Sequence, residues 1–125
     1  MADRPFRITA RIQSIWFAFS GIRAMLRTQH NAWLHGCATI AVAAAGLLMG
    51  VSAEDWRWLV LAIAIVWIAE ALNTAFEFLA DVASPEFHPL VKQAKDVAAG
   101  AVLIAAAGAA IIGLLVFAPY LAEKL

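Results

Sequence analysis

An apolar stretch without charged residues leads directly into a polar one, and this junction constrains the fold more than any other part of the chain. Residues 59–69 (LVLAIAIVWIA) carry no charge, and residues 70–81 (EALNTAFEFLAD) follow them. Their periodicity predicts one helix, on which Glu70, Asn73 and Glu77 stand at positions i, i+3 and i+7 and share a face. Ionisable groups at the end of a membrane-type helix are costly, so we interpret this face as functional. The alternative is that the helix leaves the bilayer near Glu70 and the polar face is solvated.

The composition of the chain is typical of a membrane protein. Hydrophobic residues make up 64% of the 125 residues and charged residues only 14%, whereas roughly a quarter of a typical soluble domain is charged. The length predicts a single domain, residues 1–125. The net charge of zero gives no indication of a nucleic-acid partner. The single cysteine, Cys37, can form no intrachain disulfide.

The hydrophobic pattern predicts an all-α membrane protein. Residues 6–28 are predicted to form an amphipathic helix, with apolar residues every three or four positions and Arg7 and Arg11 on another face. We expect this helix to lie on the membrane surface, with an ordinary bundle helix packed on its apolar face as the alternative. Three membrane-spanning helices are predicted to follow, at residues 32–51, 56–79 and 97–118.

The distribution of charge predicts the orientation in the membrane. Five arginines precede the first span, and two lysines lie between the second and third spans. The turn before the second span carries Glu54, Asp55 and only Arg57. The positive-inside rule therefore places the N-terminus in the cytoplasm and the polar face of residues 70–81 on the same side.

Several local signals predict where helices begin. Ser52, followed three residues later by an aspartate, resembles a capping box at the start of the second span. Residues 84–86 (SPE) are a helix-start signal, while His88 is disfavoured in a helix because it precedes Pro89, where we expect the helix to restart. Thr74, inside the polar helix, is expected to bond back to its own helix rather than to act as a nucleophile.

The predicted cytoplasmic end collects side chains that suit magnesium and phosphate. Carboxylates bind hard cations, lysines pair with phosphate oxygens, and one carboxylate can accept a proton from a hydroxyl group. The sequence contains neither a P-loop nor protein-kinase motifs, and its histidines form no metal motif. From the residues alone, a transporter or an assembly subunit fits as well as an enzyme. The collected side chains are Glu70, Asn73, Glu77, Asp81, Glu86, His88, Lys92, Lys95 and Asp96.

Four segments of the chain resemble the prokaryotic diacylglycerol kinase family, which includes the undecaprenol kinases. The resemblance covers nearly the whole chain and implies an integral-membrane lipid kinase with a surface helix and three spans in each subunit of a homotrimer. It implies that MgATP donates its γ-phosphate to the hydroxyl of diacylglycerol or undecaprenol at the cytoplasmic surface of the bacterial inner membrane. The segments are residues 21–24 (GIRA), 70–77 (EALNTAFE), 84–90 (SPEFHPL) and 94–103 (AKDVAAGAVL).

The resemblance also implies roles for individual residues. Glu70 matches the catalytic base, and Asn73 and Ala99 join it at lipid-binding positions. Glu77 matches a magnesium ligand beside the nucleotide. Gln29 stands where some members have a second metal-binding glutamate, so it can contact the ion or phosphate but brings no charge. The nucleotide-binding positions are Gln29, Glu77, Glu86, His88, Lys95 and Asp96.

Overall fold

The computed structural model of the chain describes residues 6–125, and these residues form four α-helices. The three later helices are long and apolar enough to cross a membrane, which confirms the predicted class of all-α membrane protein. Arg4, one of the five arginines used to predict the orientation, lies outside the described residues. The helices are α1 (Ile8–Thr28), α2 (His30–Met49), α3 (Ala53–Ala83) and α4 (Pro89–Ala122).

Two of the helices are longer than the spans predicted within them. Helix α3 has 31 residues and α4 has 34, which correspond to roughly 45–50 Å at 1.5 Å per residue, against about 30 Å of hydrocarbon. The first turns of α4 are helical before its apolar part begins, and its last turn continues through Pro119. The polar end of α3 and the polar start of α4 can therefore both project from a bilayer.

The connector between α3 and α4 corrects one prediction and confirms another. Residues 84–86 do not start a helix, because Ser84 is instead the C-cap of α3 and its hydroxyl donates to the carbonyl of Glu86 at 3.0 Å. Helix α4 begins at Pro89, as predicted. His88 has extended backbone angles and caps α4, since its Nδ1 accepts from the backbone N–H of Leu90 at 3.2 Å.

A tight turn joins α2 to α3. Gly50 has a left-handed conformation with φ of 65°, and its N–H and that of Val51 donate to the carbonyls of Leu47 and Gly46 in a Schellman motif. Ser52 then caps α3, as predicted, by accepting from the N–H of Asp55 at 3.1 Å. Helices α2 and α3 consequently run antiparallel.

The main hydrophobic cluster lies at this turn. Val51, Leu59 and Val116 are buried there, and Trp56 and Tyr120 are among the side chains that pack around them. The Tyr120 hydroxyl donates to the carboxylate of Asp55 and accepts from the backbone N–H of Ser52 at 2.9 Å. The end of α4 is thereby fixed to the start of α3, and α3 and α4 also run antiparallel.

Helix α1 is joined to α2 through Gln29 alone. Across this joint the indole N–H of Trp33 donates to the carbonyl of Leu26 at 2.6 Å. The apolar side chains of α1, such as Ile12 and Phe19, are exposed in the single subunit. The location of α1 on the membrane surface stays a prediction.

Candidate active site

Glu70 is a fully buried carboxylate just past the middle of α3. Its exposed fraction is 0%, and within residues 6–125 neither of its carboxylate oxygens has a hydrogen-bond partner. The closest basic group is the imidazole of His35 on α2, with Nε2 lying 3.3 Å from Oε2 of Glu70. Burying a carboxylate without hydrogen bonds is destabilising, so such a group is a candidate for function rather than for structure.

The side chains around His35 hold its imidazole beside Glu70. The ring of Trp67 meets it edge-on, with the ring centres 6.3 Å apart and the planes at 71°. The indole N–H of Trp67 donates to the hydroxyl of Thr39 at 2.9 Å, and that hydroxyl donates to the backbone carbonyl of His35 at 2.7 Å. The imidazole, the indole and the hydroxyl therefore form one connected group between α2 and α3.

No motif in the sequence indicated that His35 lies beside Glu70. The residue stands in an apolar stretch of α2 and belongs to no motif. A signal was nevertheless present, because His35 and Trp67 lie at equal distances along the chain from Val51, at the centre of the turn. In an antiparallel helical hairpin such positions face each other.

The predicted polar face of α3 is formed as expected. Asn73 is buried, and its side-chain amide donates to Oε1 of Glu77 at a long 3.4 Å, while its Oδ1 is buried without a partner among the described residues. Thr74 is also buried, and its hydroxyl donates to the carbonyl of Glu70 at 2.9 Å. The prediction that Thr74 bonds to its own helix is confirmed.

The donors around Glu77 suit a magnesium ion that is completed by phosphate. No group of three His, Cys, Asp or Glu side chains able to hold a metal is found in residues 6–125. Mg²⁺ is often held by only one or two carboxylates together with substrate phosphates. The half-buried carboxylate of Glu77 is a donor of this kind, and the unpartnered amide oxygen of Asn73 lies one helical turn before it.

Two ion pairs lie close by, where α3 ends and α4 begins. The ammonium of Lys95 donates to Asp81 across the two helices at 2.9 Å, whereas Lys92 pairs with Asp96 one turn along α4 at 2.6 Å. Lys95 precedes the apolar part of α4. Its hydrogen bond to Asp81 raises the pKa of Lys95 above its ordinary value, the charges of Asp81 and Glu77 add to this, and partial desolvation opposes it. Lys95 is therefore a cation held near Glu77.

Four of the remaining predicted site residues are not hydrogen-bonded to this centre within one subunit. Glu86, His88 and Ala99 are exposed, and Gln29 is half-buried at the joint between α1 and α2. Among the described residues, none of these four side chains makes a hydrogen bond to Glu70 or Glu77. Because neighbouring helices are antiparallel, Gln29, the end of α3 and the start of α4 nevertheless belong to the same end of the bundle.

Comparison with known proteins identifies the family. The family model described as prokaryotic diacylglycerol kinase matches residues 16–117. The chain belongs to the prokaryotic diacylglycerol kinase family. The resemblance inferred from the sequence is thus confirmed, and this member of the family is a lipid kinase.

Individual relatives in the prokaryotic diacylglycerol kinase family align over most of the chain. An undecaprenol kinase of Bacillus subtilis is 41% identical, with 95% of this chain and 97% of the relative covered. A diacylglycerol kinase of Synechocystis is 38% identical, with 90% and 68% covered. A diacylglycerol kinase of Escherichia coli is 30% identical, with 84% and 86% covered.

Proposed function

We propose that this lipid kinase uses ATP to phosphorylate the hydroxyl group of undecaprenol or of diacylglycerol at the cytoplasmic surface of the bacterial inner membrane. One observation carries the proposal. Glu70 is buried without hydrogen bonds within the described subunit, two helical turns before Glu77 on the same face of α3. A proton acceptor and a magnesium ligand are thereby held a short distance apart on a rigid element.

In this proposal Glu70 is the general base. It accepts the proton of the lipid hydroxyl while the hydroxyl oxygen bonds to the γ-phosphorus of ATP and the bond from that phosphorus to ADP breaks. Phosphoryl transfer depends on positioning and charge stabilisation more than on covalent chemistry by the protein. Asn73, whose Oδ1 is free within the described residues, and Ala99 contact the lipid beside Glu70.

The nucleotide side of the site is assigned to the polar end of α3 and the start of α4. Glu77, with Gln29 through its amide oxygen, holds Mg²⁺ and contacts the nucleotide. When bound, Mg²⁺ neutralises charge on the transferring phosphate. The positive charge of Lys95, held beside Asp81, suits a phosphate oxygen. The other nucleotide-contacting residues in this proposal are Glu86, His88 and Asp96.

The kinase is proposed to be a homotrimer whose N-terminus is cytoplasmic. Large apolar side chains on all three membrane-type helices, such as Ile40, Ile68 and Leu114, are exposed in one subunit. Both lipid and neighbouring subunits can cover such faces. Mass measurement of the particle in a mild detergent tests the proposed trimer, and a monomer would contradict it.

Undecaprenol is the acceptor that we place first. The alignment with the B. subtilis undecaprenol kinase covers 97% of that protein, whereas the alignment with the Synechocystis diacylglycerol kinase covers 68% of that one. Diacylglycerol is the second candidate because relatives named for it align at 38% and 30% identity.

The deciding experiment offers both lipids to the purified protein in micelles with MgATP, separately and together. Phosphorylation of undecaprenol in preference to diacylglycerol supports the first assignment, and the reverse preference replaces it by the second. Phosphate transfer to neither lipid by a folded trimer would contradict the proposal and favour a non-enzymatic membrane protein. A Glu70→Gln variant in the same assay tests whether any transfer depends on the proposed base.

A further inference from the structure

The contact between His35 and Glu70 joins two buried polar groups that otherwise have no partner. Within the described residues, Nε2 of His35 and both carboxylate oxygens of Glu70 are enclosed without a hydrogen bond. The two side chains are exposed by only 16% and 1%, and Nε2 lies 3.3 Å from Oε2. The mechanism described above uses Glu70 alone and leaves this histidine without a role.

We propose that His35 is a positioning residue that holds the carboxylate of Glu70 through Oε2 and leaves Oε1 to accept the proton of the lipid hydroxyl. This inference rests on the proposed role of Glu70 as the base. The imidazole nitrogen is the only basic atom that the described structure places in ion-pair contact with that carboxylate. A small shift of the imidazole toward Oε2 makes a charge-assisted hydrogen bond, the type that orients a carboxylate most firmly.

The surroundings of His35 give the imidazole a defined orientation. Trp67 limits the ring on one side, and Thr39 links the indole N–H to the backbone of His35 itself. Trp67 also stands one turn before Glu70 on α3. Helix α3 therefore supplies both the carboxylate of Glu70 and the indole of Trp67 that packs against His35. This arrangement keeps the imidazole of His35 at a fixed distance from the carboxylate.

A fixed carboxylate matters because general-base catalysis requires the accepting oxygen to point at the proton it removes. A glutamate side chain that is free to rotate would direct either carboxylate oxygen, or neither, at the proton of the lipid hydroxyl. Loss of the imidazole should consequently lower the rate of the chemical step and leave binding of ATP, about two helical turns away, unchanged.

Two substitutions at one position separate this role from simple packing. His35→Phe keeps an aromatic ring against Trp67 and removes the donor, and His35→Gln keeps a donor in place of the ring. We expect His35→Phe to lower kcat by about 10- to 100-fold with KM for ATP changed less than twofold. We expect His35→Gln to recover kcat to within about fivefold of the wild type, because hydrogen bonds to charged groups are the strong ones. His30→Phe, at an exposed histidine on the same helix, is the matched control and should retain wild-type kcat.

A measurement independent of activity completes the test. In protein labelled with ¹⁵N-histidine, the Nε2 resonance of His35, identified by its absence in His35→Gln, should move when Glu70 is replaced by glutamine. The same resonance should stay in place in Glu86→Gln. This measurement also decides the matter if His35→Phe does not assemble.

The outcomes distinguish this inference from the proposed function. If Glu70→Gln keeps its activity, the assignment of the base is wrong. If Glu70→Gln is inactive while His35→Phe turns over like the wild type, only the role of His35 is wrong. The role of His35 would also be wrong if His35→Gln were folded but as slow as His35→Phe. It would equally be wrong if the Nε2 resonance of His35 did not move in Glu70→Gln.

Discussion

The two ends of the helical bundle differ in whether their polar groups have hydrogen-bond partners. At the α2–α3 turn, Ser52, Asp55 and Tyr120 satisfy one another in a closed set of hydrogen bonds above a hydrophobic cluster. At the other end, Glu70 and one oxygen of Asn73 are buried without hydrogen-bond partners in the described subunit. A buried polar group that is left unsatisfied lowers stability, so it persists where it serves function. The hydrogen-bonded set and the hydrophobic cluster thus lie at one end, and the chemistry that we propose lies at the other.

The largest expected effect is a loss of activity, without a loss of stability, from a substitution at the end of the bundle that holds Glu70. Glu70→Gln keeps the shape of the side chain and removes the proton acceptor, so kcat should fall by about 10²- to 10⁴-fold, the usual contribution of a general base. The variant should still fold and assemble, since no hydrogen bond of the described structure is lost. Lipid phosphorylation and particle mass are measured together, and activity surviving in full would refute the role.

The second effect concerns the metal. Glu77→Gln removes the charge that we assign to Mg²⁺, and we expect the concentration of Mg²⁺ required for half-maximal rate to rise by about 10- to 100-fold. A magnesium titration at saturating ATP measures this. Gln29→Glu is the complementary change and should lower the requirement. If neither substitution changed the titration, both metal assignments would be wrong.

The third expected effect is a loss of stability at the α2–α3 turn. A Cβ built on Gly46 lies 2.7 Å from ring atoms of Trp56, whereas one built on Gly108 meets nothing within 4 Å. Gly46→Ala should therefore reduce the free energy of unfolding by about 1–3 kcal/mol through overpacking, and Gly108→Ala should change it little. Denaturation in detergent compares the two variants. Equal stability of the two variants would show that the packing near the α2–α3 turn accommodates an added methyl group. At low temperature, kcat should be near the wild-type value in both variants.

The fourth effect compares two lysines on α4. Lys95→Met removes a cation that lies near Glu77 and should raise KM for ATP by about three- to tenfold, as expected for one phosphate contact. Lys92→Met removes a cation from an exposed pair with Asp96 and is the matched control. Surface ion pairs contribute little to stability, so neither variant should unfold earlier. An equal rise in KM in both variants would point to general electrostatic attraction instead of a specific contact.

The smallest expected effect concerns the hydroxyl of Tyr120 at the α2–α3 turn. Tyr120→Phe removes the hydroxyl that joins α4 to Ser52 and Asp55. The free energy of unfolding should fall by about 0.5–1.5 kcal/mol, the net value of a typical hydrogen bond. Thermal denaturation measures the change, and turnover should be unaffected. A loss of turnover without a loss of stability would mean that the two ends are coupled.

Much of the fold was predictable because each signal was local to one helix. Apolar periodicity predicted the helices, and the spacing of Glu70, Asn73 and Glu77 predicted their common face. The failure at Ser84 has a local cause as well, since a small hydroxyl residue followed by proline suits the end of one helix as well as the start of another. The start of α4 at Pro89 was predicted correctly, and the span predicted within it is shorter than the helix because the first turns of α4 are polar.

The contacts between helices were harder to predict. Helical spacing relates residues of one helix and says nothing about the residue that faces them from the next. The pairing of His35 with Glu70 and of Lys95 with Asp81 depends on how α2, α3 and α4 are placed side by side. The family resemblance supplied roles for matched positions, but His35 lies outside the segments that carried it.

The left-handed glycine at the α2–α3 turn has a consequence for the opposite end of the molecule. Gly50 ends α2 within a single residue, and Ser52 begins α3 almost at once. The registration of the two helices is therefore set there and transmitted along both as rigid rods. One residue inserted into α3 before Glu70 would rotate that side chain by about 100° about the helix axis. The carboxylate would then no longer meet α2, so insertions on this segment should be far less tolerated than substitutions.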